Sequence, residues 1–342
     1  MKIKKYKVIT LIGTRPEIIK LSRVIDVLDK SCNHILVHTG QNYDYELNEI
    51  FFDDMDIRKP DYFLDINNSS PLKAISDVIY KLDDLLDEIK PDAFLVLGDT
   101  NSAFGAIAAK KKKIPIFHME AGNRCFDMRV PEEINRKLID HLSDINLPYT
   151  DIAREYLIAE GIRKDHIIKT GSPMKEVLDF HADKISSSNI LKKLNLVKNN
   201  YFLVSSHREE NLDNEKNFQQ FANVLFAIEK KYNMTVIVSA HPRLRKKIEN
   251  SKNFTKSNII FCKPFSFSQY INLMINSKCV LSDSGTITEE ASILNINAIN
   301  IRDAHERPEG SEEAVCISTG IDVDRILNAL ECIDTNFANR KN

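Results

Sequence analysis

The sequence predicts an α/β protein built from two doubly wound, Rossmann-like domains. Its 342 residues exceed the roughly 250–300 residues at which single hydrophobic cores stop growing. Short apolar runs rich in Val, Ile and Leu alternate with helix-like stretches, which is the pattern of parallel sheets covered on both faces. The series of runs restarts at Tyr201, after a polar stretch at residues 181–189. We therefore expect two similar domains in succession.

The predicted strands are short, continuous apolar runs. They are rich in Val, Ile and Leu, as strands buried in a parallel sheet are. Helix-like stretches lie between the runs, for example at residues 16–30 and 102–113. The runs are YKVITLI (6–12), HILVH (34–38), AFLVLG (93–98), IPIFHM (114–119), YFLVSS (201–206), TVIVSA (235–240), NIIFC (258–262), KCVLSD (278–283) and NAINI (297–301).

We expect the domain boundary near Ser172–Lys184, where a polar stretch begins between the two series. We place an N-terminal domain at residues 1–173 and a C-terminal domain at residues 174–342. Ligands of doubly wound sheets bind outside the carboxyl ends of the strands. We therefore expect the two domains to face a central cleft that binds the ligand.

Composition and short motifs exclude several classes of protein. The net charge of −2 provides no global field that attracts nucleic acid or an anionic membrane. The chain has no run near the ~20 apolar residues of a membrane span, and we expect a cytoplasmic protein. Its six cysteines form no CxxC pair, and no HExxH or GxGxxG motif occurs. We therefore expect neither a metal ion nor a nicotinamide cofactor.

The first segment with residues suited to ligand binding is GTRPEIIK, at residues 13–20. Gly13 permits a tight turn, and Pro16 fits the first turn of a helix. Arg15 and Lys20 then flank a helix N-terminus, whose unpaired N–H groups suit an anion. The alternative is an ordinary strand–helix turn with solvated charges.

Three carboxylates follow the strands of the first domain. Asp99 comes directly after the run that ends at Gly98, and Glu120 comes directly after the run that ends at Met119. Glu132 follows in the segment RVPEEINR. Each of them alone could be a helix cap or a turn residue. Three together favour acid–base chemistry.

The second domain offers polar groups suited to a phosphate. His207 and Arg208 follow the run that ends at Ser206, and Glu210 comes shortly afterwards. Ser284 and Gly285 form a strand–turn–helix junction whose hydroxyl and N–H groups suit phosphate.

Two further residues complete this predicted second site. Glu290, one to two turns into the predicted helix, could reach ribose hydroxyls. Arg307 lies in the segment HERPE near the end of the series.

Eight segments of the sequence carry a family resemblance. They are GTRPEIIK, HTGQNYDYELNEIFF, LGDTNSAFGA, HMEAGNR, VPEEINRKLIDHLSD, SSHREEN, SDSGTITEEA and RDAHERPE. Together they resemble the non-hydrolysing UDP-N-acetylglucosamine 2-epimerase family, in the family's order across roughly residues 6 to 320. The resemblance implies a UDP-amino-sugar substrate, inversion at carbon 2 without a redox cofactor, and a homodimer. It also implies the two-domain GT-B-like fold of many nucleotide-sugar glycosyltransferases.

The resemblance also assigns roles by motif. It implies sugar handling in the first domain and UDP binding in the second. The catalytic residues it implies are Asp99, Glu120, Glu132 and His207. The substrate and UDP ligands it implies are Arg15, Lys20, Arg208, Glu210, Ser284, Gly285, Glu290 and Arg307.

The sequence departs from the family pattern at two places. Family members usually continue with a further segment, whereas this sequence ends at FANRKN. The stretch NRCFDMRVPEE is shorter than in members that act on UDP-N-acetylglucosamine. It resembles the branch that forms UDP-N-acetyl-L-fucosamine from its talose epimer. The sequence also leaves open a GT-B-fold glycosyltransferase and a catalytically inactive nucleotide-sugar-binding protein.

Overall fold

The chain divides into two compact units, each of which is built on one parallel sheet. Contacts within the computed structural model separate Met1–Phe180 from His181–Asn342. The residues that the structure describes are 5–40, 49–206, 215–240, 257–301 and 316–339.

The first unit has six parallel strands in the order β3-β2-β1-β4-β5-β6. This is the strand order of a doubly wound sheet. From β1 the chain first adds strands on one side and then, starting with β4, on the other side, so the order of strands reverses between β1 and β4. Helix α3 packs its apolar face on the buried β1 and β4. The strands are β1 Lys7–Ile12, β2 Asn33–His38, β3 Tyr62–Phe63, β4 Ala93–Leu97, β5 Ile116–Met119 and β6 Ile145–Leu147. The helices are α1 Arg15–Ser31, α2 Glu49–Asp54, α3 Pro71–Ile89, α4 Gly105–Lys111, α5 Pro131–Leu142, α6 Asp151–Ala159 and α7 Met174–Phe180, with short 3₁₀ turns at Asn101–Phe104 and Lys164–His166.

The second unit repeats this topology. Its six parallel strands run β12-β11-β10-β7-β8-β9, with the reversal between β7 and β10. The strands are β7 Tyr201–Ser206, β8 Thr235–Ala240, β9 Ile259–Cys262, β10 Cys279–Ser282, β11 Ala298–Asn300 and β12 Cys316–Ser318. The helices in the described part of this unit are α8 Ala182–Ser186, α9 Ile190–Lys193, α10 Glu215–Tyr232, α11 Phe267–Asn276, α12 Ile287–Leu294 and α13 Val323–Asn339.

The predicted α/β class with doubly wound sheets is confirmed, and all nine predicted runs contain strands. Three strands were not predicted from the sequence, β3, β6 and β12, which are two or three residues long and lie at sheet edges. Edge strands this short bury little surface, so their apolar pattern is weak.

Helix α7 belongs to the first unit, although it lies after the predicted boundary at residues 173/174. It packs on α1, and the Arg23 guanidinium carbon lies 3.6 Å from the centre of the Phe180 ring. Such cation–π stacking adds to apolar burial. The division therefore falls at the end of α7, after Phe180.

No helix in the described ranges is long and apolar enough to cross a membrane.

Candidate active site

The loops that carry the predicted residues of the first unit leave neighbouring strands at the same edge of the sheet. Arg15 follows β1 and Asp99 follows β4, the two strands between which the order reverses. Glu120 follows β5, which pairs with β4 so that Met119 lies opposite Leu97. Ligands of doubly wound sheets bind at this reversal point.

Glu17 joins the loop after β1 to the loop after β4. Its carboxylate accepts hydrogen bonds from the backbone N–H of Gly13 (2.5 Å) and Thr14 (2.8 Å), and from the Thr100 hydroxyl (2.5 Å). Burial raises the pKa of Glu17 to about 7, although these hydrogen bonds act in the opposite direction. The need for glycine at position 13 comes from packing, because a Cβ there would lie 2.0 Å from Ser102 Oγ.

We expect Glu17→Gln to remove part of the pH dependence of stability. The pKa of Glu17 rises from 4.5 to about 7 on folding. The stability that Glu17 contributes to the folded protein is therefore fully present below pH 4.5 and is lost as the pH rises through 7. A neutral amide does not titrate. When the pH is raised from 4.5 to 8, the free energy of unfolding of wild type should therefore fall by roughly 3 kcal/mol more than that of the variant.

Urea titrations at both pH values provide this measurement. Glu155→Gln is the matched control, because Glu155 is exposed on α6. Equal pH dependence in wild type and Glu17→Gln would contradict the prediction.

Lys20 pairs with Glu120. The Lys20 Nζ atom lies 2.5 Å from Glu120 Oε2, and the two side chains are 3% and 14% exposed. Asn123 Nδ2 donates to the other carboxylate oxygen at 3.4 Å. Glu120 has φ +64°, a left-handed conformation that is uncommon outside glycine and concentrates at functional sites. The structure thus joins a predicted ligand residue to a predicted catalytic carboxylate.

Asp99 pairs with Arg136 of helix α5. The Arg136 Nη2 and Nε atoms lie 2.5 and 3.0 Å from Asp99 Oδ2, and Asn135 Nδ2 donates to the Asp99 carbonyl at 2.8 Å. On its other side, Arg136 Nη1 donates to Glu133 Oε2 at 2.9 Å. Arg136 and Glu133 are both buried. One cation therefore lies between two carboxylates.

Glu132 lies in the first turn of α5 and is half-buried, whereas its neighbour Glu133 is fully buried. The N-terminal end of a helix favours a carboxylate electrostatically. Two adjacent carboxylates thus have different environments, one partly open to solvent and the other enclosed.

A buried charge cluster supports the loops after β4 and β5. Asp140 Oδ1 lies 2.9 Å from His118 Nδ1, and Asp140 Oδ2 lies 2.8 Å from Arg124 Nη1. The His118 Nε2 atom contacts the Gly98 carbonyl at 2.8 Å, just before Asp99. Burial lowers the pKa of His118, but the Asp140 carboxylate, the Gly98 carbonyl and Asp99 together outweigh it, so the net shift is upward. The backbone beside Asp99 is thus held by the buried His118–Asp140 pair.

The described part of the second predicted site lies after β10. The Ser284 N–H donates to Ser282 Oγ at 3.1 Å, and the Ser284 and Thr286 hydroxyls lie 2.9 Å apart. Thr286 Oγ1 donates to Glu290 Oε1 at 3.0 Å. Ser284, Gly285 and Glu290 are all partly exposed, at the edge where the order of the second sheet reverses. Four predicted residues, His207, Arg208, Glu210 and Arg307, lie outside the described residues.

Four residues of these charged contacts were not predicted as site residues from the sequence: Glu17, Glu133, Arg136 and Asp140. Glu133 and Arg136 are three residues apart on a helix, a spacing typical of an ion pair, and this signal was available. The contacts of Glu17 with Thr100 and of Asp140 with His118 have no local signal, because they join distant parts of the chain. Within the described ranges, no group of three or more His, Cys, Asp or Glu residues could hold a metal ion.

Two doubly wound units, with polar or charged side chains in the described loops at their reversal points, define an α/β protein of the ligand-binding doubly wound type. A family model described as UDP-N-acetylglucosamine 2-epimerase matches residues 27–342. The chain belongs to this family, and it is a nucleotide-sugar 2-epimerase of the isomerase class.

Individual relatives agree with this assignment. The curated UDP-N-acetylglucosamine 2-epimerase of Methanocaldococcus jannaschii is 34% identical over 345 residues, covering 98% of this chain and 94% of that protein. The solved UDP-N-acetylglucosamine 2-epimerase structure from Rickettsia bellii is 54% identical with a TM-score of 0.90, covering 96% and 88%. The M. jannaschii structure in complex with UDP-GlcNAc and UDP is 34% identical with a TM-score of 0.89, covering 96% and 92%.

Proposed function

We propose that this enzyme inverts carbon 2 of a UDP-N-acetylhexosamine by elimination and re-addition of UDP. The observation that carries the proposal is the pair of charged carboxylates at adjacent strand ends. Asp99 and Glu120 follow paired strands, and each contacts a cation from a different helix. The relative from M. jannaschii was solved with UDP-GlcNAc and UDP.

The chemistry requires UDP to leave first. The C2 hydrogen is not next to a carbonyl, so its direct removal by a base is too difficult. When the C1–O bond breaks, its electron pair leaves with UDP and the positive charge that develops at C1 acidifies C2. A carboxylate takes the C2 proton, and the C2–H electrons form the C1=C2 bond of a 2-acetamidoglycal. Protonation on the opposite face and return of UDP to C1 give the epimer.

The residues divide between these tasks. Two faces require two acid–base groups, and we assign them among Asp99, Glu120 and Glu132. Departing diphosphate requires cationic groups, for which Arg15, His207 and Arg208 are the candidates by family resemblance.

The second unit binds UDP in this proposal. The hydroxyls beside Ser284 and Gly285 suit phosphate, and Glu290 suits ribose. Glu210 and Arg307 complete the set that the resemblance implies. We further propose that the enzyme acts as a homodimer, as the family resemblance implies, and that it is cytoplasmic, as expected from the sequence.

Solvent exchange tests the function directly. The protein is incubated with UDP-N-acetylglucosamine in D₂O without an acceptor sugar. We expect deuterium at C2 in the recovered nucleotide sugar and equal turnover with and without EDTA. A glycosyltransferase or an inactive binding protein would leave C2 unlabelled. Turnover that EDTA abolished, or that only added NAD restored, would contradict the cofactor-free mechanism.

The loop between Glu120 and Glu132 is the proposed determinant of the sugar. Phe126 and Met128 are 64% and 57% exposed, so neither packs fully beneath the loop. The Phe126 ring contacts Tyr156 edge-on, with the ring centres 5.1 Å apart. Exposed apolar side chains suit a C6 methyl group better than a 6-hydroxyl, which a polar site would select.

We therefore expect a preference for a 6-deoxy substrate. The enzyme should epimerise UDP-N-acetyl-6-deoxy-L-talosamine with a higher kcat/KM than UDP-N-acetylglucosamine. Both rates are measured with one preparation. An apolar pocket discriminates weakly, so the second substrate should still turn over. A clear preference for UDP-N-acetylglucosamine would refute the assignment of the loop but leave the proposed reaction intact.

A further inference from the structure

Glu133 holds the backbone of the loop at residues 121–130, which follows Glu120. Its carboxylate accepts hydrogen bonds from the backbone N–H of Cys125 at 3.0 Å and of Phe126 at 3.2 Å. A glutamate at the third position of a helix commonly binds the N–H of the capping residue. The capping residue of α5 is Val130, but Glu133 accepts its hydrogen bonds from Cys125 and Phe126, which lie earlier in the loop. Phe126, at φ +57°, is held in a left-handed conformation at this contact.

The same carboxylate is bonded to the cation that binds Asp99. Arg136 Nη1 donates to Glu133 Oε2 at 2.9 Å, and Arg136 Nη2 lies 2.5 Å from Asp99 Oδ2. Burial alone would raise the pKa of Glu133, but the Cys125 hydrogen bonds and Arg136 hold it below its ordinary value. A continuous chain of charged hydrogen bonds thus runs from the loop to Asp99.

We propose that Glu133 and Arg136 are positioning residues that couple the seating of loop 121–130 to the orientation of Asp99. This inference rests on the proposed role of Asp99 as an acid–base group. Arg136 and Glu133 are 2% and 0% exposed. The bridge that they form between the loop and Asp99 is therefore enclosed by protein, and each partner restricts the other. When loop 121–130 lies in its observed position beside the hexose, it therefore holds the Asp99 carboxylate in one orientation. When the loop is displaced, that carboxylate is free to change its orientation.

Kinetics of single and double variants provide the first test. Arg136→Met should lower kcat roughly 50-fold and Glu133→Gln roughly 10-fold, while Kd for UDP stays within about twofold of wild type. Arg136→Lys should recover part of the lost turnover, because it restores the charge. In an Asp99→Asn background, Arg136→Met should have almost no further effect, since coupled residues are non-additive. Arg163→Gln is the control, because Arg163 is exposed and pairs with Asp165 on the surface.

Amide hydrogen exchange provides the second test and requires no activity. Asp99→Asn and Arg136→Met should each accelerate exchange in a peptide covering Cys125 and Phe126, whereas Arg163→Gln should not. Unchanged exchange, additive kinetics or a parallel loss of UDP affinity would overturn the proposal. If wild type fails to label C2 in D₂O with either sugar, the proposed function is wrong, and the exchange measurement still decides whether the bridge couples loop and carboxylate.

Discussion

Asp99→Asn, Glu120→Gln and Glu132→Gln should each lower turnover roughly 100-fold or more while preserving the fold. Positioned acid–base groups contribute about 10²–10⁴-fold to a rate, and an amide cannot exchange the proton at C2. The measurements are kcat for epimerisation and deuterium incorporation at C2. Circular dichroism and thermal melting establish that each variant folds.

The outcomes separate catalytic from structural roles. Asp179→Asn is the matched control, because Asp179 is exposed and pairs with Lys175 on α7. A variant of the three that kept near-normal turnover would mark its carboxylate as a cap or turn residue. Loss confined to one direction of the reaction would identify the face on which that carboxylate acts.

Lys20→Met should lower kcat roughly 100-fold and change UDP affinity little. The resemblance assigns Lys20 to ligand binding, but its Nζ atom already lies 2.5 Å from Glu120 Oε2. Removing one partner of a buried ion pair leaves the other charge uncompensated, so the melting temperature should also fall. Lys20→Arg should retain more turnover than Lys20→Met, because it keeps the positive charge.

Steady-state kinetics and calorimetric titration with UDP distinguish the two roles. Lys30→Met on the same helix serves as the control, since Lys30 is 73% exposed and pairs with Asp26 at the surface. Weaker UDP binding with unchanged kcat would show that Lys20 acts on the nucleotide rather than on Glu120.

Much of the fold followed from local pattern in the sequence. Continuous apolar runs predicted the long central strands, because a strand buried on both faces leaves no polar alternation. The edge strand Tyr62–Phe63 escaped detection, since two residues carry no period. The first unit ends after Phe180, inside the boundary region expected near Ser172–Lys184, and the docking of α7 on α1 that places it there joins distant parts of the chain and has no local pattern.

By itself, the sequence determined the strand–helix alternation and the positions of polar residues directly after strands. These follow from backbone sterics and from burial of short segments, both of which are local. Only the tertiary structure decided which charges meet. Lys20 and Glu120 are 100 residues apart, and Arg136 and Asp99 are 37 apart. Their pairing depends on strand order and helix docking, which bring distant loops to one edge of the sheet and exclude the water that would otherwise screen each charge.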